Sequence, residues 1–286
     1  MVEQRSDMVG IETSIIMNPK VWEATGHIEH FSDPLVECKN CHSRHRADDL
    51  VGSEWGNAAL DFVNWDNKKK EKFIKENFPN CPKCDTKGEW TLPQMFNLMF
   101  KTSFGSTEDA SNTVYLRPET AQGMFVNFKN IYQTTRKQIP FGIAQIGKSF
   151  RNEITPGNFI FRTREFEQIE VEYFINPKDW KKYFSLWQKE IQDWILHCGL
   201  SMKNILEYEV PKEDRSHYSE RTIDFKYKFP FGLSELYGLA YRGDFDLSRH
   251  MAKSGEDFTY TDPKTEEKFV PHVIEPSLGV ERTLLA

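Results

Sequence analysis

FRNEITPGNFIFRTREFEQIEVEYF, residues 150–174, is the stretch whose reading decides the fold. Phe141 to Glu153 and Phe159 to Phe174 carry the alternation of two strands, and Thr155-Pro156-Gly157-Asn158 between them breaks it. The pattern predicts a long hairpin whose loop is too generous for a two-residue turn. Strand side chains alternate between faces, so Arg151 and Glu153 are expected to point the same way. On the return strand Phe166, Gln168, Glu170 and Glu172 share one face, and Ile169, Val171 and Tyr173 share the other. The apolar set must meet a core. The charged set must line something wet, either plain solvent or a polar ligand.

Outward from the hairpin, Val9 to Met17 reads as a strand ended by Asn18-Pro19. Asn176-Pro177 opens a helix whose Trp180, Phe184, Trp187, Ile191, Trp194 and Ile195 form one apolar face, and Gly199 stops it. Leu206 to Arg221 is polar, contains Pro211 and reads as a loop. Phe269 to Ser277 reads as a strand, with a helix starting in Leu278-Gly279-Val280-Glu281-Arg282. From Cys38 to about Trp90 the composition turns to Cys, His, Lys, Asn and Asp, which suggests an insertion with its own small core. Antiparallel strands with helices segregated around them predict an α+β architecture.

The 286 residues suit one large domain, alone or with a small insert. The net charge of −6 argues against a general nucleic-acid coat and leaves room for a local basic surface. No apolar run is long enough to cross a bilayer, and Met1 to Asp7 lacks the basic-then-apolar pattern of a secretory signal, so a cytoplasmic protein is expected. Five cysteines are too few for a disulfide scaffold of this length. Four of them form Cys38-x-x-Cys41 and Cys81-x-x-Cys84, a spacing able to close a tetrahedral four-thiolate zinc site, with His42 and His45 as possible substitutes. Four free cysteines are the bland alternative. Cys198, at the end of the amphipathic helix, reads as a plain core residue, and the remaining histidines read as ordinary core or surface residues.

Two further segments carry candidate chemistry. Val270 to Ser277 places Glu275 and Ser277 on one strand face, with Arg282 just inside the next helix. Arg117 to Gly123 sets Glu119 at a turn before a helix. Guanidinium groups hold phosphate oxygens, and carboxylates hold an ammonium or a magnesium ion. Such acids and arginines at strand ends suit a nucleotide bound beside a cationic small molecule.

These residues carry a resemblance. The opening stretch resembles motif 2 of the class II aminoacyl-tRNA synthetases, and VIEPSLGVER, residues 273–282, resembles motif 3. RPETAQG (117–123), ELYGLAYRGDFDLSRH (235–250) and MNPKVWEATGHIEHFSDPLVECKNC (17–41) are similar to the bacterial-type dimeric glycyl-tRNA synthetases. The resemblance implies a class II antiparallel sheet flanked by helices and a ligase acting on glycine, ATP with Mg2+, and tRNA(Gly). It implies that Arg151, Glu153, Phe166, Glu235 and Arg282 hold ATP, with Arg151, Glu153 and Arg282 catalytic. It assigns glycine to Glu119, Arg151, Glu170, Arg242, Glu275 and Ser277, and the tRNA acceptor end to Arg162, Thr155 and Asn158. Structural Zn2+ falls to Cys38, Cys41, Cys81 and Cys84. Residues 1–37 would begin the catalytic domain with part of motif 1, 38–90 would be a zinc-binding insertion, and 91–286 the core with motifs 2 and 3. Members normally have a further strand and dimer-forming helix before the position of Met1 and an anticodon-binding domain after motif 3, which puts homodimerisation and anticodon recognition in question here. Gly243 stands where threonine is expected, and Leu233-Ser234 where Trp-Gly is expected. A non-catalytic synthetase-like accessory protein and an amino-acid ligase loading a carrier other than tRNA are the competing readings.

Overall fold

A computed structural model describes residues 2–52, 62, 65–105 and 112–286. Its main sheet has seven strands: β1 (Met8–Gly10), β2 (Phe141–Phe150), β3 (Glu165–Ile175), β4 (Ile205–Glu209), β5 (Arg221–Phe229), β6 (Gly232–Gly243) and β7 (His272–Gly279). They lie in the order β1-β2-β3-β7-β6-β5-β4. Only the β1–β2 pairing is parallel; the rest are antiparallel, in an α+β fold. The helices used below are α1 (Pro19–Ala24), α2 (His27–His30), α3 (Ala121–Thr135), α4 (Trp180–His197), α5 (Phe245–Ser254) and α6 (Val280–Leu285).

Strand alternation divides the sheet between two cores. On one side Val171, Tyr173 and Ile175 of β3 and Tyr237, Leu239 and Tyr241 of β6 meet Phe184, Trp187, Ile191 and Ile195 of α4, the helical face expected from the sequence. On the other side Phe141 and Ile143, Phe174 and Val273 meet Met124, Phe125 and Phe128 of α3 and Leu247 of α5. The glutamate face of β3 belongs to this second side, where Glu170 and Glu172 are buried near the start of α3. That placement puts acids next to a core and sets up the site.

Three expectations change. Val9 to Met17 is not one strand: Arg117 takes the carbonyl of Thr13 at 2.8 Å, and the chain leaves the main sheet to pair Ile16–Met17 with Thr113–Leu116. Leu206 to Glu209 is an edge strand instead of loop; Gln188 and Gln192 of α4 each donate to Glu207 at 2.6 Å, so a polar strand is anchored by polar partners. Cys198 is exposed at the end of α4. Gly243, by contrast, has a physical reason. Its φ is +59°, and a Cβ there would lie 2.5 Å from the Glu220 carboxylate, so a threonine would be strained in its backbone and would have to displace the end of the Glu220 side chain. Nothing in the structure explains Leu233 and Ser234.

A third core, Val36, Ala47, Phe62, Ile74, Phe78 and Trp90, gathers around the cysteine pairs. Beside it Ser32–Glu37 pairs with Arg44–Arg46 and Gln94–Asn97 in a small sheet. No described helix is long and apolar enough to cross a membrane.

Phe128 is fully buried, with its ring centroid 4.4 Å from that of Phe174. Phe128→Ala is expected to destabilise the chain by about 3–5 kcal/mol in urea unfolding; a loss under ~1 kcal/mol would contradict this packing.

Candidate active site

Strands β3, β6 and β7 end at one cleft of about 320 Å³, closed by residues 151–164 and by α6. Glu119, Glu170, Glu275 and Ser277 line one end of it. Arg151, Glu153, Phe166, Glu235 and Arg282 line the other.

At the acidic end the register places Ser277 opposite Glu170. Ser277 Oγ donates to Glu170 Oε1 at 3.1 Å, and Gln168 Nε2 donates to the same oxygen at 2.9 Å. The Thr120 amide donates to Glu170 Oε2 at 2.9 Å, as does the Thr120 hydroxyl. Glu119, just before α3, receives Gln122 Nε2 at 3.1 Å and has His27 Nε2 at 3.4 Å. Beneath lies Arg242, 1 % exposed, donating to Asp246 through Nε and Nη2, each at 2.8 Å, and to Glu275 through Nη1 at 2.7 Å. The Tyr218 ring covers its guanidinium at 3.7 Å.

Burial favours the neutral form of every acid here, and neighbours decide which of them escape. Burial pushes Glu275 up to about 8; Arg242 opposes it, and Glu170 and Glu119 reinforce it. Burial and the Glu119 charge raise Glu170. Glu119 is also buried, yet His27 and Arg242 hold it well below the usual carboxylate range. The pocket thus presents one firm negative charge and two acids poised to ionise. A small ammonium group is the ligand such a cluster suits.

The other end suits a polyanion with a flat ring. The Arg151 guanidinium sits between the rings of Phe31, at 5.2 Å, and Phe166, at 5.3 Å. Arg282, in the first turn of α6, lies 4.4 Å over Phe161 and 3.4 Å from Glu235. Glu153 is buried, and its Oε2 has no partner among the described residues, leaving an acceptor ready for a ligand N–H. Asp224 and Glu235 share this rim, and burial together with Glu235 raises Asp224 to about 6.

Most of the predicted residues therefore meet, though not always by the predicted route. Arg151 and Glu153 lie beyond the end of β2, and the Glu153 amide donates to the Arg151 carbonyl at 2.7 Å, so a tight turn aims them and not strand alternation. Arg242 is buried behind Glu275, with hydrogen bonds to Asp246 and Glu275 in the free chain. Of the loop residues, Arg162 lines the cleft while pairing with Asp49 at 2.7 Å, Thr155 Oγ1 donates to the Arg44 carbonyl at 3.2 Å, and Asn158 takes the left-handed φ of 54°. His27, Gln122, Asp246 and Tyr218 escaped sequence reading. The spacing of Arg242 and Asp246 across four residues, and of Glu119 and Gln122 across three, was the available signal.

At the cysteine module the two turns repeat one hydrogen-bond pattern. His42 N donates to Cys38 O at 2.9 Å and Asp85 N to Cys81 O at 2.8 Å, with φ of 56° at His42 and 58° at Asp85. The four sulfurs all lie within 4.8 Å of one another. His42 bonds Glu37 and His45 bonds Ser43, so neither completes the cluster.

An antiparallel sheet whose central strands carry arginine, glutamate and a nucleotide-sized cleft, with an arginine-bearing helix after β7, defines the catalytic core of a class II synthetase. Residues 100–286 match the family described as tRNA synthetase class II core domain (G, H, P, S and T), and the chain belongs to it. It is 54 % identical over 286 residues to a glycine–tRNA ligase of Ureaplasma urealyticum, covering 100 % of this chain and 60 % of that protein. It is also 54 % identical to the glycine–tRNA ligase of Caldanaerobacter subterraneus, over 97 % of this chain and 60 % of the relative. For that of Alkaliphilus oremlandii the figure is 52 %, over 100 % and 62 %. The chain thus spans about 60 % of the length of these relatives. A solved prolyl-tRNA synthetase from Cryptosporidium parvum, complexed with L-proline and AMP, shares the fold at a TM-score of 0.50 and 14 % identity, over 65 % of this chain and 38 % of that one.

The raised Glu275 fixes a sign. Its folded value of about 8 exceeds the ordinary 4.5, so its contribution to stability is full below 4.5 and is lost as pH rises through about 8. Glu275→Gln is expected to flatten this decline in urea midpoints across that window; an unchanged slope would contradict the assignment.

Proposed function

We propose that the chain is the catalytic part of a glycine–tRNA ligase, activating glycine with ATP to glycyl-adenylate and passing the glycyl group to the 3′ end of tRNA(Gly). The observation that carries this reading is the meeting of Glu119, Glu170 and Glu275 in the cleft that also holds Arg151 and Arg282. The carboxylates and Ser277 take the ammonium. Arg151 draws together the glycine carboxylate and the α-phosphate, so that a carboxylate oxygen attacks phosphorus in line and pyrophosphate leaves. Arg282 holds the far phosphates at a helix start. The adenine lies against Phe166, its amino group toward Glu153. Asp224 and Glu235, two acids at one rim, offer the hard oxygen donors magnesium favours, and magnesium there would neutralise phosphate charge. No protein nucleophile is needed. Side chains larger than hydrogen are excluded by acids crowded about the amine, since blocking a bulkier group is easier than rejecting a smaller one. The names of the relatives and their identities over nearly the whole chain support the choice of glycine.

The acceptor end of tRNA falls to the loop bearing Thr155, Asn158 and Arg162, and the site of action is cytoplasmic. We assign residues 1–37 and 91–286 to the catalytic domain and 38–90 to an insertion that holds structural zinc. A tetrahedron of thiolates around zinc has edges of about 3.8 Å; here Cys38 and Cys84 sulfurs lie 3.6 Å apart and those of Cys41 and Cys81 3.7 Å. Contacts with Thr86 and Asn40 draw Cys84 down to about 5, toward the thiolate a metal needs, while burial pushes Cys38 up to about 11, so the charge of a metal would have to draw off that proton.

Glycine-dependent ATP–pyrophosphate exchange, with alanine and serine as controls, tests the reaction. Glu275→Gln is expected to lower it at least ~100-fold with the fold retained, since a neutral amide cannot pair with an ammonium. Near-normal exchange in that variant would sink the assignment. Purified chain is expected to carry about one zinc per molecule, and chelation to lower the thermal midpoint by several degrees. Under half an equivalent, or a midpoint indifferent to chelator, would remove zinc from the account.

A further inference from the structure

Glu172 plays no part in the reaction outlined above. Its side chain is wholly buried, and neither carboxyl oxygen has a hydrogen-bond partner among the described residues. It does not line the cleft. Its position is nevertheless set by the same two strands. The register pairs Ile274 with Tyr173 and Ser277 with Glu170, which places Glu275 opposite Glu172 on the face that floors the pocket. Directly opposite residues on one face of an antiparallel pair bring their Cβ atoms within about 5.5 Å. On its other side Glu172 faces Ile143 of β2, which offers no charge.

The charges around this pair do not balance. Glu119, Glu170, Glu172, Asp246 and Glu275 are all buried; His27 lies against Glu119 and Arg117 acts on Glu170, which leaves Arg242 as the buried guanidinium acting on Glu172 and Glu275. Arg242 makes hydrogen bonds to Asp246 and Glu275 and none to Glu172. The groups acting on Glu172 are Glu275 from β7, Arg242 from β6, Glu170 from its own strand and Asp246 from α5. Those acting on Glu275 include the same Arg242, Glu170 and Asp246, with Glu119 ahead of α3; Tyr218 also feels its charge. Two carboxyls facing each other in a dry place cannot both be ionised while one guanidinium is already matched by Asp246.

We propose that Glu172 and Glu275 form a cross-strand acid pair which is doubly protonated in the free chain, and that entry of an ammonium ligand expels the Glu275 proton to solvent while Glu172 keeps its own. The step balances: R–NH3+ enters, the Glu275 O–H bond breaks, the carboxylate left behind pairs with the ammonium, and one proton passes to water. Glu172 is thereby a positioning residue. As a neutral acid it lets Glu275 ionise without a second charge behind it, and it never touches the ligand. Burial raises Glu172 well above the carboxylate range and Glu275 to about 8, in agreement with that order of release. The inference rests on the reading of the cleft as an amino-acid site, so its test has to report on the pair without a ligand as well as with one.

Infrared difference spectroscopy reads the carbonyl stretch of protonated carboxyls directly. In the free chain near neutral pH we expect two such bands from the pair, one lost in Glu172→Gln and the other in Glu275→Gln, apart from any that raised Glu170 adds. Glycine is expected to erase the Glu275 band, leaving one band of the pair in the wild type and neither in Glu172→Gln. Calorimetry in buffers of different ionisation enthalpy is expected to show release of about one proton per glycine. Absence of both bands from the free chain overturns the acid pair whatever glycine does. Heat of binding with no loss of a band overturns the coupled release. Both bands present, with glycine giving neither heat nor spectral change, overturns the amino-acid reading of the cleft and the coupling with it.

Discussion

The buried guanidinium of Arg242 is the interaction on which the site depends. It lies at the end of β6, where the chain turns into α5, and Asp246 four residues later takes two of its hydrogen bonds. Glu275 on the neighbouring strand takes a third, so one cation joins β6, β7 and α5. Removing one partner from such a buried arrangement would leave a charge uncompensated, at a cost of about 3–5 kcal/mol. The arrangement therefore holds together or fails together. It also biases protonation: burial raises Glu170, Glu172 and Glu275, and Arg242 opposes that rise in each of them.

From that floor the rest of the cleft is built outward. The Thr120 amide at the start of α3 fixes Glu170, and α2 brings His27 to Glu119. Trp22 and Phe31 pack on the His27 ring, and Phe31 also meets the Arg151 guanidinium. The segment before the cysteine module thus touches both the acidic end and the phosphate end. The module itself reaches the cleft through Asp49, which pairs with Arg162, and through the Arg44 carbonyl, which receives Thr155. Both contacts are partly exposed, and a single pair of this kind contributes ~1 kcal/mol or less. They orient the loop more than they stabilise it.

Much of this was legible in advance because period and chemistry agreed. The two faces of β3 follow from strict alternation, and the apolar stripe of α4 from helical spacing; in both cases burial obeys the local pattern. The cysteine spacing implied a cluster, and matching turns deliver one. Where local pattern was insufficient, a distant partner decided. The polar face of β3 left solvent and ligand both open, and Glu170 and Glu172 are in fact buried. Val9 to Met17 looks continuous, yet the Arg117 guanidinium draws it apart at Thr13. Ile205 to Glu209 looks like loop until the glutamines of α4 give Glu207 its partners.

By itself the sequence determined the kind of strands and helices, the hairpin with its wide loop, the sulfur donors and the wording that marks the family. These are properties of neighbours along the chain, and backbone geometry converts spacing into faces without knowledge of anything remote. Only the tertiary structure decided which acids share the charge of Arg242 and in which direction burial and neighbours push each of them. Those shifts depend on distance and dielectric, and both are set by segments as far apart along the chain as Glu170 and Ser277, 107 residues.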